Sequence, residues 1–130
     1  MPLNSRAKGA AGERELVDEL NRLGLMARRT VQYCGKSGDA ADIVISGTEL
    51  HVECKRAEHV RLYEWIEQAK RDAHGRPWAI FTRRNRSGWH VVIPLELWVQ
   101  TSSHAIEARD HLAQVRDEAI RTQASVQPGS

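Results

Sequence analysis

Asp42, Glu53 and Lys55 are the side chains whose types and spacing could do hydrolytic chemistry. The stretch "HVECKRA" (51–57) alternates as a strand does, so the face opposite Val52 and Cys54 carries Glu53 and Lys55. "ADIVIS" and "ELHVECKR" read as two strands joined by Gly47-Thr48, a two-residue connection with glycine first, as a type II′ hairpin prefers. Counting outward then pairs Ser46 with Glu49, Ile45 with Leu50, Val44 with His51, Ile43 with Val52 and Asp42 with Glu53. Opposed residues of an antiparallel pair hold their Cβ atoms about 4.5–5.5 Å apart, and like charges so placed destabilise a sheet. Ile43, Ile45, Leu50 and Val52 collect on the other face, which supports the same register. A divalent cation is the simplest reason to tolerate two facing carboxylates. Mg²⁺ takes oxygen ligands and binds through one or two carboxylates plus substrate phosphate. Lys55, on the same face as Glu53, could orient or deprotonate a water, or stabilise charge on a phosphate. The competing description is a solvated salt bridge on an exposed strand face; His51, on the same face, reads as an exposed strand histidine, with a further ligand or contact as the alternative.

The elements that must position these residues are legible from periodicity. Leu16, Leu20 and Leu23 recur at helical spacing over about 7–23, with Gly24 as the stop. "LMARRTVQY" (25–33) suits a strand and "CGKSGDA" a flexible loop. "LYEWIEQAKRDA" (62–73) is helical, with Leu62, Trp65, Ile66 and Ala69 on one side. "WAIFTR" and "WHVVIP" are strands around Asn85-Arg86-Ser87-Gly88, and a last helix covers 103–123. The order is helix, three strands, helix, two strands, helix.

At 130 residues the chain fits one domain with a sizeable core. The expected division is a core domain over 1–100, a C-terminal helix over 101–124 for packing or dimerisation, and a disordered tail over 125–130. No apolar run is long enough to span a bilayer and no signal peptide is evident, so the expected location is the cytoplasm with no membrane partner. Cys34 and Cys54 form no CxxC pair and read as reduced thiols, Cys54 buried. Net charge is only +2, but Arg28-Arg29 and Arg83-Arg84 with Arg86 are local basic clusters, whereas 103–124 holds three Arg against four acidic residues. An anionic ligand should therefore meet the first hundred residues. Trp65, Trp78, Trp89 and Trp98 read as core, with Trp89 also able to line a DNA surface. Ala105, Ala108, Leu112, Val115 and Ala119 form a helical seam that folds back on the core or meets a symmetry mate.

"KGAAGERELVDEL" (8–20), the Arg pair, "DAADIV" and "HVECK" in that order resemble the PD-(D/E)XK nuclease superfamily, and within it the archaeal-type and phage Holliday-junction resolvases. The likeness extends over most of residues 8–93. It implies an α/β fold with a restriction-endonuclease-like core, a central mixed or antiparallel sheet flanked by helices, plus the C-terminal helix. It also implies Asp42 and Glu53 as metal-holding acids, Glu13 as an accessory catalytic and metal carboxylate, and Lys55 as the catalytic lysine. Arg14 would contact phosphate, as would Arg29 or Arg28, and Lys8 would contact the backbone; Gln68 resembles an accessory glutamine directed toward the site. Ala41 stands where a proline often precedes the motif aspartate, which leaves Asp39 as an alternative ligand.

The resemblance further implies Mg²⁺ (or Mn²⁺) as cofactor, branched DNA in the form of a four-way junction as partner, a homodimer making paired cuts, and roles in recombination or repair. Competing expectations are a nuclease of other branched or duplex DNA, a restriction-like enzyme, a non-catalytic DNA-binding module with the same fold, and a protein-interaction domain.

Overall fold

A computed structural model of the chain describes residues 5–30 and 41–126, with side chains from residue 9 onward. The loop read over 34–40, with Cys34 and Asp39, and the Lys8 side chain lie outside the described residues. Two compact units are present, residues 1–94 and 95–130.

In the first unit, α1 (Ser5–Arg22) is followed by β1 (Ala27–Arg29), β2 (Ile43–Ile45), β3 (His51–Arg56), α2 (Leu62–Ala73), β4 (Trp78–Arg83) and β5 (His90–Val92). The strands form one sheet in the order β1-β2-β3-β4-β5. β3 and β4 run parallel, with Glu53 beside Ile80 and Lys55 beside Thr82, and the other neighbours are antiparallel. The parallel step needs a crossover, which α2 supplies.

Alternation along β3 and β4 sends their side chains to two helices. Val52, Ala79 and Phe81 join Ile43, Ile45, Leu16 and Leu20 in one core cluster, while Ile80 meets Trp65 and Ala69 in another. Thus α1 covers one face of the sheet and α2 the other. α1 comes close because Gly12 sits in its buried Gly12-Leu16-Leu20 stripe: a Cβ there would lie 2.7 Å from Cβ of Arg56. Gly24, at φ +104°, stops the helix, and the Asn21 side chain both accepts from Ala27 N (2.7 Å) and donates to Ala27 O (3.2 Å), aiming the chain into β1. α2 ends on His74 and Gly75, both left-handed.

The β2–β3 connection corrects the expected type II′ loop. Thr48 N bonds to Ile45 O, so Ser46 and Gly47 are the central residues of the turn, and Gly47 takes φ +85° in the second central position. A positive φ there suits glycine. Residues 48–50 are irregular and β3 starts at His51. Ile43 still pairs with Val52, so the register is the expected one.

In the second unit, α3 runs Leu95–Ser125, longer than the seam-based reading of 103–123. It contains no buried residue, and Leu95, Trp98, Val99, Ile106, Leu112, Val115 and Ile120 are exposed. Trp98, read as core, is 60% exposed. Trp65 is buried and Trp78 and Trp89 are partly so. No helix among the described residues is long and apolar enough to cross a membrane.

Candidate active site

The ExK strand lies in the middle of the sheet, and its polar face looks toward α2 rather than into open solvent. Glu53 is 4% exposed and His51 is fully buried, which corrects the exposed strand histidine expected above. The reason is α2, whose buried stripe of Trp65, Ala69, Asp72 and Ala73 covers that side of β3.

Asp42 precedes β2. Its backbone N–H donates to Val52 O at 3.0 Å, and its carboxylate Oδ2 accepts from Cys54 N at 2.8 Å. The Asp42 carboxyl lies close enough to Glu53 to feel its negative charge, as the expected register requires. Burial pushes Asp42 up to about 6, opposed by the Cys54 amide and reinforced by the negative charge of Glu53. Glu53 is raised as well, chiefly by burial, with Lys55 pulling the other way. Burial disfavours the ionised form of both carboxyls, and a divalent ion held between them would favour it. The donor set therefore fits Mg²⁺, for which two protein carboxylates are enough. No group of three or more His, Cys, Asp and Glu side chains able to hold a metal occurs among the described residues.

Lys55 Nζ donates to Gln68 Oε1 at 2.7 Å, so α2 fixes the direction of the lysine. Glu13, on α1, is held by Arg29 of β1, with Nε donating to Oε2 at 2.9 Å. It lies close enough to Glu53 to disfavour that residue's ionised form. Arg29 is half-buried in this pair, whereas Arg14 and Arg28 are exposed. Arg83 donates to Glu15 and to Ser87 O, while Arg84 and Arg86 stay exposed. Cys54, read as buried, is partly so, and burial first, then Asp42, push its thiol up to about 12, so it is no nucleophile.

Of the polar group behind Glu53, the sequence offers His51 as an alternative contact but gives no role to Arg76 or Asp72. His51 Nε2 lies 2.7 Å from Glu53 Oε1, its Nδ1 faces the Arg76 guanidinium at 3.5 Å, and Asp72, 5% exposed, acts electrostatically on both His51 and Glu53. A signal was present: Asp72 falls on the apolar stripe of α2, seven residues from Trp65, where a solvated carboxylate does not belong.

The family described as "phage putative PDDEXK endonuclease" matches residues 4–126. Among solved structures, the chain resembles the 1.6 Å structure of Archaeoglobus fulgidus Hjc, a Holliday junction resolvase from an archaeal hyperthermophile. It does so at 25% identity and a TM-score of 0.52, over 65% of this chain and 76% of that one. Comparison with curated proteins gives no match. The likeness assigns the sheet and its flanking helices to the restriction-endonuclease-like core.

Proposed function

Because this chain belongs to the phage PDDEXK endonuclease family, we propose that it is a Mg²⁺-dependent endodeoxyribonuclease that resolves four-way DNA junctions by paired phosphodiester hydrolysis. The observation that carries this reading is the partly buried Asp42 beside the buried Glu53, with a lysine held by Gln68 next to them. The likeness to an archaeal Holliday junction resolvase supports the choice of substrate.

Asp42 and Glu53 would hold the cation, which supplies a Lewis acid for the phosphate and an acidified water. Lys55, aimed by Gln68, meets the attacking water or the charge that develops on the phosphoryl oxygens. Glu13 assists the acids from α1, and its pairing with Arg29 keeps one carboxylate and one guanidinium at the edge of the site. Arg14 and Arg28, and Lys8, approach the backbone phosphates, and no base-reading element is evident among the described residues, which suits recognition of shape. Hydrolysis leaves 5′-phosphate and 3′-hydroxyl ends. Two symmetric cuts need two sites, so the working form is a homodimer acting in the cytoplasm of a phage-infected cell during recombination or repair.

Cleavage of a labelled four-way junction against linear duplex of the same sequence, with wild type and Glu53→Ala in parallel, tests the proposal. Paired nicks on the junction alone, absent with Glu53→Ala, are expected. Equal cutting of duplex rejects junction specificity, and binding without any cleavage rejects the enzyme. Light scattering of the full chain checks the dimer.

A further inference from the structure

A histidine with no exposed surface is costly in a strand where an aliphatic side chain would pack as well, unless both ring nitrogens find partners. Both nitrogens of His51 do. The Arg76 guanidinium can only donate, and it faces Nδ1 at 3.5 Å, so Nδ1 accepts and the proton sits on Nε2. Nε2–H then points at Glu53 Oε1, 2.7 Å away. The origin of the ring is fixed too, because His51 N donates to Pro77 O at 2.8 Å. Arg76 is in turn tethered through Nε to Ala73 O at 3.2 Å, at the end of α2. The chain of bonds therefore runs from α2 through Arg76 and His51 to the carboxylate of the ExK strand.

From this chain we infer that His51 is a positioning residue for Glu53. It engages Oε1 in a fixed direction, so that Oε2, the oxygen it does not engage, is presented for a divalent cation shared with Asp42. The inference rests on the metal-site reading given above. His51 touches neither substrate nor metal; it sets the rotamer of an acid that does. The arrangement has the same logic as an outer partner that orients a metal-ligating group, a role whose loss costs about 10- to 100-fold in metal affinity.

Calorimetric titration of Mn²⁺ into the DNA-free protein tests this without relying on cleavage. His51→Leu removes the donor and keeps an apolar filling, whereas His51→Gln restores an N–H near the Nε2 position. Mn²⁺ affinity is expected to fall about 10- to 100-fold in His51→Leu and to recover most of that loss in His51→Gln. Unchanged affinity in a folded His51→Leu, or no recovery in His51→Gln, overturns the inference and leaves the metal site standing. Absence of Mn²⁺ binding by wild type overturns the metal site and this inference with it. If His51→Leu does not fold, wild type carries the test through long-range ¹H–¹⁵N spectra of its six histidines. His51 is expected as the Nε2–H tautomer with a signal that Mg²⁺ shifts. An Nδ1–H tautomer, or a signal that Mg²⁺ leaves in place, overturns it.

Discussion

The two acids of the site are held at a cost that can be measured. Asp42 moves from its ordinary 3.8 to about 6 when buried beside Glu53, so the folded state binds its proton more tightly than the unfolded state does. Stability contributed by this group is thus lost as pH rises from about 4 to about 6, and the loss stays constant above that, on the order of 1–3 kcal/mol. Asp42→Asn removes the ionisable group while keeping an acceptor for Cys54 N. In EDTA its Tm should exceed that of wild type at pH 8 and match it near pH 4, and Mg²⁺ at pH 8 should raise only the wild-type Tm. Equal melting of both proteins at pH 8 would reject a desolvated carboxyl pair. Lys55→Ala should lower the single-turnover cleavage rate by about 10²–10³-fold, the usual loss for one donor to a developing oxyanion. Gln68→Ala should cost less, because the lysine remains and only its tether is gone. The closeness of Asp42 to Glu53, and the side of β3 that carries Lys55, were legible because strand alternation and hairpin register are local properties. The burial of His51 was not, because α2, which covers it, comes later in the chain and its approach cannot be read from the strand.

At the scale of elements, the closure of α1 onto β3 depends on the absence of a side chain at Gly12. Gly12→Val would drive a branched side chain into Arg56, whose Cβ lies 2.7 Å and Cγ 3.3 Å from a Cβ at that position. Overpacking of this kind costs typically about 1–3 kcal/mol. Glu15, about one helical turn further along α1, accepts from Arg56 Nε (3.2 Å) and Arg83 Nη1 (3.3 Å), but its side chain is 41% exposed. Exposed pairs contribute at most about 1 kcal/mol, so Glu15→Ala should destabilise less than Gly12→Val. Urea unfolding of the two variants decides the order, and a larger loss in Glu15→Ala would mean that ion pairs rather than close packing seat the helix. The order of helices and strands was readable from periodicity and glycine stops, and α2 falls on the expected residues 62–73. The β2–β3 turn was misplaced by one residue, since Ser46-Gly47 and Gly47-Thr48 both put a glycine in the loop, and only the backbone shows that Gly47 takes the second central position. The start of α3 at Leu95 was missed because "LELWVQ" also fits a strand by composition.

For the whole molecule, a net charge of +2 conceals a division between the two units. Residues 1–94 carry 16 Lys and Arg against 12 Asp and Glu, while residues 95–130 carry three against five. A phosphate backbone is attracted to the first unit and weakly repelled by the second. Within the first unit the arginines are not equivalent. Arg29, Arg56 and Arg83 are engaged with Glu13 and Glu15, whereas Arg14, Arg28, Arg84 and Arg86 are exposed. Only side chains that displace counterions from DNA steepen the salt dependence of binding, by about 0.9 in the log–log slope for each phosphate neutralised on duplex. The double variant Arg84→Ala/Arg86→Ala should therefore flatten the slope for junction binding by up to about 2, with binding measured under Ca²⁺ to block hydrolysis. Arg109→Ala/Arg116→Ala on α3 should leave the slope unchanged. Charge clusters were visible in the sequence, but which arginines are free to meet phosphate depends on the ion pairs that α1 makes with β1, β3 and β4. A slope that responds to the α3 pair instead would move the DNA path onto the second unit.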